Sequence, residues 1–208
     1  MYQRFVKRGL DIVGATAGIV VLLPVFLLVA LWIKLDSPGP VLFRQKRVGK
    51  NKALFEIYKF RTMRADTPHD VPTHQLGEAQ RYITRSGRFL RKTSIDELPQ
   101  LFNILMGQMS VIGPRPALWN QDDLIALRDQ YGANSVLPGL GGWAQVNGRD
   151  ELALATKALR DGEYAQNVSF WLDVKCFVLT FVKVVKGEGI AEGKEGRHYA
   201  AKRTEGEP

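Results

Sequence analysis

The chain is poor in the groups that build crosslinks and metal centres. It holds one cysteine, Cys176, so no internal disulfide can form, which suits a cytoplasmic face. Its three histidines, His69, His74 and His198, form no zinc-like cluster with that thiol, and no structural metal is expected. No internal repeat is visible. Acidic residues are in deficit, 21 against 29 basic ones, for a net charge of +8. Such an excess favours a polyanionic partner: nucleic acid, an anionic bilayer or a phosphorylated small molecule. The charge alone does not choose among them. With 208 residues, 45% of them hydrophobic, the chain can build one compact domain around a buried core.

The longest uncharged stretch runs from Ile12 to Ile33, 22 residues or about 33 Å as a helix, close to the thickness of a bilayer core. Soluble buried helices are usually shorter. A signal-peptide core is shorter too, and no small-residue cleavage site follows. Both flanks are basic: Arg4, Lys7 and Arg8 before the run; Lys34, Arg44, Lys46 and Arg47 after it. The positive-inside rule therefore disfavours putting either flank outside. Pro24, at the middle, removes a backbone donor and clashes one turn back. Two readings follow. One is a re-entrant helix-break-helix over residues 1–36 that dips into one leaflet and returns. The other is a spanning helix with a tolerated proline kink.

Ser37-Pro38-Gly39-Pro40 makes a turn closing this segment. Val41–Arg47 and Leu54–Phe60 read as strands of a hairpin joined by residues 48–53. Residues 65–79 are polar and read as a loop. Helix is expected from about Ser94, as a possible N-cap, to Leu105, and again over 121–131 and 151–165. In Val168–Val185, Phe170, Trp171, Val174, Phe177, Val178, Phe181, Val182 and Val185 recur at helical spacing with Lys175, Lys183 and Lys186 between them. That helix either packs a core or lies in a membrane interface. The fold class expected is α+β, mostly helical: the membrane helix, then a catalytic domain over 37–186 with a small β-hairpin and interfacial amphipathic helices. Residues 187–208 read as a loosely ordered tail.

The chemistry concentrates between Arg85 and Pro116. Arg85, Arg88, Arg91 and Lys92 precede the adjacent carboxylates Asp96 and Glu97, and the segment ends in Gly113-Pro114-Arg115-Pro116. A bare Asp-Glu pair at a helix start is commonly surface decoration. Phosphoryl transfer, however, needs cations for phosphate oxygens, a carboxylate for a divalent metal and an in-line nucleophile, a role aspartate can fill. Neighbouring helical residues point about 100° apart, so one carboxylate could face phosphorus while the other holds Mg²⁺. Arg115, between two prolines, is a preset fork for phosphate. A third segment, Leu137–Arg149, is rich in glycine and matches neither a P-loop nor a dinucleotide fingerprint.

Taken together, Tyr58-Lys59-Phe60-Arg61-Thr62-Met63, Asp96-Glu97-Leu98-Pro99-Gln100-Leu101-Phe102-Asn103, Met109-Ser110-Val111-Ile112-Gly113-Pro114-Arg115-Pro116 and Pro138-Gly139 through Arg149 resemble the bacterial sugar transferase family, the monotopic phosphoglycosyl transferases. The length resembles its small members that consist of the catalytic domain, such as bacillosamine-phosphate transferases. The resemblance implies that Asp96 attacks the β-phosphorus of a UDP-sugar, that UMP leaves, and that polyprenyl phosphate then takes the sugar phosphate. It implies Glu97 as Mg²⁺ ligand, Lys59, Arg91 and Arg115 near phosphate, and a helix break at Pro24. The loop that carries Gly139, Gln145, Asn147 and Arg149 becomes a candidate for the nucleotide or sugar. The expected partners are a UDP-sugar, with an N-acetylated hexose the first guess, polyprenyl phosphate and a lipid bilayer, with no nucleic acid; the expected place is the cytoplasmic face of the inner membrane. Three positions depart from the family pattern: Leu23 stands where serine often precedes the proline, Gln108 where aspartate is usual, and Gly141 where threonine is usual.

Two readings from other classes compete. A membrane-anchored nucleic-acid-binding module should show salt-sensitive binding to DNA or RNA. An inactive scaffold of a glycan-assembly complex should be indifferent to Asp96→Ala.

Overall fold

The computed structural model describes residues 1–68, 79–148 and 152–186. Most of the polar 65–79 loop, Arg149 and the 187–208 tail lie outside the described residues.

A π-helical turn, Tyr2–Val6, leads into α1, Lys7–Asp36. This helix corrects one expectation. It is a single element that runs through Pro24 rather than a helix, a break and a second helix. Proline costs one hydrogen bond to the preceding turn and bends a helix, but the long apolar sequence on both sides sustains helix formation past it. Only 11% of its most apolar stretch is buried, so α1 is not a soluble core helix. Val21, Leu28 and Leu35 on its outer side are exposed.

The inner side of α1 packs along the rest of the chain. Ala15 is enclosed with Phe55, Ile57, Leu101, Ile104 and Met109; further along, Val29 and Ile33 pack with Phe60 and Leu90. Each fully buried aliphatic here contributes roughly 1.5–3 kcal/mol. Polar side chains fasten both ends of α1 to the same body. Near its start, Arg8 donates to the carbonyls of Ile104 (2.6 Å) and Leu105 (3.0 Å), Asp11 accepts from the Val111 N–H (2.9 Å), and Lys7 pairs with Asp173 (2.8 Å). At its end, Asp36 accepts from the Ser86 N–H (2.9 Å) and hydroxyl (2.8 Å), and Arg61 donates to the carbonyl of Ser37 (2.8 Å).

The expected hairpin is present as β1, Leu42–Val48, and β2, Leu54–Phe60, antiparallel with Gln45 opposite Ile57 and Phe43 opposite Lys59. Because side chains alternate across a strand, this register puts Gln45, Arg47 and Lys59 on one face. The helix expected from Ser94 is not there in that form. Instead α2 spans Arg85–Thr93, with Thr84 as its side-chain cap, and Ser94 terminates it in the left-handed region at φ 56°. A short turn, Ile95–Glu97, follows, and then α3, Gln100–Leu105. Basic residues crowd 85–92 and mask the helical pattern, while Pro99 prevents a continuous helix through the acidic pair.

Beyond α3, β3 (Ser110–Ile112) pairs in parallel with β4 (Gly139–Gly141). Between them lies α4, Asp122–Gln130, and after them come α5 (Trp143–Val146), α6 (Leu154–Gln166) and α7 (Phe170–Lys186). The glycine-rich segment is thus part of a sheet and not an ordinary surface loop. The glycines at this contact allow a very close approach: a Cβ on Gly139 would stand 2.0 Å from the Gly113 nitrogen. Helix α7 turns Cys176 and Leu172 toward Ile112 and Tyr164, while Trp171, Phe177 and Phe181 face outward and are exposed.

Candidate active site

Asp96 and Glu97 sit at the elbow between α2 and α3. The left-handed Ser94 reverses the chain, and the elbow closes with Glu97 N–H on the Ser94 carbonyl (3.2 Å) and Leu98 N–H on that of Ile95 (3.1 Å). Asn103 fixes this unit to the hairpin. It is fully buried, its Oδ1 accepts from the Tyr58 N–H (2.9 Å), and its Nδ2 donates to the Glu56 carbonyl (2.7 Å), as a neighbouring strand would. Gln108 completes it, its Oε1 accepting from Asn103 Nδ2 (2.7 Å). A glutamine carbonyl accepts from an amide N–H as a carboxylate does, and here it holds Asn103.

Four cations converge on the two carboxylates. Lys59 Nζ lies 2.6 Å from Glu97 Oε1; Arg115 reaches the same oxygen through Nη2 at 2.5 Å and Oε2 through Nη1 at 3.3 Å. Arg91 is held by Thr62, whose Oγ1 accepts from Nε at 2.9 Å, and its charge acts on Asp96. The fourth, Arg47, donates to Gln45 Oε1 (2.6 Å) and the Pro116 carbonyl (3.2 Å), and among the described residues its buried Nε has no hydrogen-bond partner. Sequence reading missed Arg47 and Gln45. Their signal is the period-two alternation on β1, which becomes informative once the register places them beside Lys59.

The two carboxylates are tuned in opposite directions. Burial pushes Asp96 above the usual carboxylate range; Lys59, Arg91 and Arg115 pull it back, while the Glu97 charge adds to the rise. Burial also pushes Glu97 up, but Arg115 and Lys59 outweigh it and hold its carboxyl well below that range. Burial draws Lys59 down against the pull of Glu97. Burial, with the Arg115 charge beside it, draws Arg47 down to about 10, so it stays protonated at neutral pH. The site therefore offers a Glu97 held as its anion at neutral pH, a buried and more basic Asp96, and a cationic surplus fit for a diphosphate.

For a divalent cation, the donor set is that of a hard, partly substrate-held ion. Among the described residues no three His, Cys, Asp or Glu side chains gather into an all-protein cage. Glu97 is held as its anion, and its Oε2 carries the longer of the two Arg115 bonds, at 3.3 Å. One or two carboxylates completed by substrate phosphate oxygens is the usual protein share for Mg²⁺, and these residues fit it.

The remaining sequence candidates separate. Gly139 adjoins the Arg115 turn, its N–H donating to the Pro114 carbonyl (2.9 Å). Gln145 is half-buried and aims inward: Nε2 donates to the Leu140 carbonyl (3.4 Å) and Oε1 is buried without a partner among the described residues. Asn147 is exposed and its amide turns back onto the Trp143 carbonyl (2.8 Å). Arg149 lies outside the described residues, and Pro24 lies in α1, away from the elbow in sequence. A side chain at Gly141 would meet Thr180 Oγ1 at 2.8 Å, so α7 occupies the space that the usual threonine would need.

A family model described as bacterial sugar transferase matches residues 2–187. Among curated relatives, the undecaprenyl-phosphate glucose phosphotransferase of Komagataeibacter xylinus is 41% identical over 189 residues, 86% of this chain and 36% of that protein. A protein of Aeromonas hydrophila named UDP-N-acetylgalactosamine-undecaprenyl-phosphate N-acetylgalactosaminephosphotransferase is 42% identical over 192 residues, 89% of this chain and 45% of that one. The chain thus spans less than half of either relative. It covers 96% of the uncharacterized sugar transferase EpsL of Bacillus subtilis, at 38% identity over 200 residues and 96% of this chain.

Proposed function

This chain belongs to the bacterial sugar transferase family, and from that premise we propose that it moves a sugar phosphate from a UDP-sugar to undecaprenyl phosphate through a covalent acyl phosphate on Asp96. The observation that carries the reading is the pairing of opposites at the elbow: a buried, basic Asp96 beside a Glu97 kept ionised by Lys59 and Arg115. A structural ion-pair network would gain nothing from leaving one of two adjacent carboxylates with a raised affinity for protons. A nucleophile does gain, because basicity at a desolvated oxygen favours attack.

In the first step an Asp96 carboxylate oxygen bonds to the sugar-bearing phosphorus as the bond from that phosphorus to the bridging oxygen breaks. UMP leaves with the bridging oxygen and its electron pair. In the second, an undecaprenyl phosphate oxygen bonds to the same phosphorus and the Asp96 carboxylate departs, giving undecaprenyl-diphospho-sugar. Arg115, Arg91, Lys59 and Arg47 balance the diphosphate charge through both displacements. Glu97, with substrate phosphate oxygens, would hold Mg²⁺, which when bound supplies further charge stabilisation to the leaving phosphate.

The membrane supplies the lipid substrate. Both ends of α1 are fastened to one body by Lys7, Arg8, Asp11 and Asp36. This favours a helix that keeps both ends on one face of the bilayer over one that crosses it, in keeping with basic residues on both flanks. The exposed aromatic side of α7, with Lys183 and Lys186 at its end, suits an interface with anionic lipid. The reading puts the elbow at the cytoplasmic face of the inner membrane, within reach of a soluble nucleotide and a lipid phosphate, and assigns no role to nucleic acid. The sugar is the open variable: an N-acetylated hexose is the first choice, yet relatives named for glucose and for N-acetylgalactosamine are equally similar. A panel of UDP-sugars presented with undecaprenyl phosphate tests the proposal. Release of UMP with one of them and formation of a diphospholipid is expected; tight, salt-sensitive nucleic-acid binding with no UMP from any UDP-sugar would replace it with the nucleic-acid module.

A further inference from the structure

Arg128 of α4 and Asp161 of α6 are buried together, 3% and 1% exposed, and no sequence motif marks either. Arg128 Nε donates to Asp161 Oδ2 at 2.9 Å, and Nη2 donates both to that oxygen and to the backbone carbonyl of Arg115 at 2.9 Å. Burying two charges costs more desolvation than their attraction usually returns, and apolar replacement of such a pair is often neutral or stabilising. Stability alone therefore gives no reason for this pair. Its further partner, the Arg115 carbonyl, does.

The turn around Arg115 needs external support. Pro114 and Pro116 have no N–H, so the turn cannot close on its own donors. Each of its carbonyls instead receives one from β1, β4 or α4. Pro114 takes the Gly139 N–H (2.9 Å), Arg115 takes Arg128, Pro116 takes Arg47 Nη1 (3.2 Å), and Ala117 takes the Val48 N–H (2.9 Å). Three of these come from the hairpin and the short sheet that form the site. Among these four donors Arg128 is the one from α4, and it joins α6 through Asp161; the two helices also pack Leu124 and Ala158 against Val48 and Ala117, so Arg128 adds a polar tie beside an apolar one.

We propose that Arg128 is a positioning residue: locked by Asp161, it fixes the backbone of Arg115 so that the guanidinium meets Glu97 and the substrate phosphate. The inference rests on Arg115 serving as the phosphate fork. It makes a statement about coupling, which a merely structural pair would not satisfy. In the Arg128→Met/Asp161→Leu double variant, kcat for UMP release is expected to fall about 10- to 100-fold, the loss typical of removing an orienting partner, with Tm close to that of the parent. In an Arg115→Ala background the same double substitution should change kcat by less than about twofold, since the group it positions is gone. Arg128→Lys, which keeps a charge for Asp161 but loses the planar fork, repeats the cycle if the double variant does not fold. Undiminished kcat in these variants, or losses that multiply in the Arg115→Ala background, would overturn the proposal. UDP binding by calorimetry, run through the same cycle, separates it from the functional reading. Coupled losses of UDP affinity without any UMP release would leave the positioning role standing and the transferase reading refuted; independent losses would refute the positioning role.

Discussion

Lys59 Nζ stands 2.6 Å from Glu97 Oε1, and both side chains are more than four-fifths buried, at 17% and 15% exposed. The pair joins the second strand of the hairpin to the elbow that carries Asp96. It is also what makes the two adjacent carboxylates unlike: Lys59 and Arg115 hold Glu97 as an anion, and that anion in turn pushes the proton affinity of Asp96 upward.

The stability consequences have opposite signs. Glu97 has a lowered carboxyl pKa in the folded protein, so it stabilises the fold at neutral pH, and the contribution is lost as pH falls below the ordinary glutamate value. Glu97→Gln removes the carboxylate charge that Lys59 and Arg115 share and should cost about 3 kcal/mol or more at neutral pH. Asp96 has a raised pKa, so its ionisation opposes folding at neutral pH, and that penalty vanishes once it is protonated. Asp96→Asn is expected to raise Tm near pH 7 and to leave it unchanged near pH 3, below the pKa of an unfolded aspartate. Thermal melts of both variants at the two pH values check this.

The same ionisation governs rate. If Asp96 attacks as a carboxylate, UMP release should decline toward acid with a midpoint above the ordinary aspartate value. Lys59 is the strongest of the charges that favour the Asp96 anion, so Lys59→Met should move the acid limb to higher pH. A pH–rate profile under single-turnover conditions reads the shift; an unmoved limb contradicts the assignment of Asp96 as the titrating group.

Arg47 faces the site from the first strand, and its Nε has no hydrogen-bond partner among the described residues. Arg47→Met should raise KM for the UDP-sugar about 10-fold, corresponding to about 1.4 kcal/mol of lost phosphate interaction. The effect on kcat should be smaller. Initial-rate kinetics on this variant measure both.

Gly139 is where the two short strands touch. A methyl group there would meet the Gly113 backbone nitrogen at 2.0 Å, with no flexible side chain to move aside. Gly139→Ala should destabilise the protein by about 1–3 kcal/mol and displace the Arg115 turn that Gly139 supports. Denaturant unfolding shows the first effect, and a reduced rate of UMP release the second.

Much of this arrangement is legible in the sequence, and the exceptions have physical causes. The hairpin follows from alternation and turn composition; charge clustering beside a rigid turn marks Arg91, Arg115, Asp96 and Glu97, and Lys59 is marked only by the family resemblance. Arg47 is marked by neither, because its placement depends on strand register, which neither strand states alone. Helix α2 was hidden by its own cations, and Ser94 read as a beginning where its left-handed backbone makes it an end. Pro24 signalled a break that the helix absorbs. Arg128 and Asp161 lie 33 residues apart on two helices, and only tertiary packing brings a buried arginine to a buried aspartate.

The central claim is a covalent bond to Asp96. Intact-mass measurement after incubation with the accepted UDP-sugar and no lipid acceptor tests it most directly. The account predicts one equivalent of UMP released and a mass gain of one sugar phosphate. That gain should map to Asp96, be absent in Asp96→Asn, and be discharged on adding undecaprenyl phosphate. No adduct, together with full turnover in Asp96→Asn, would contradict it.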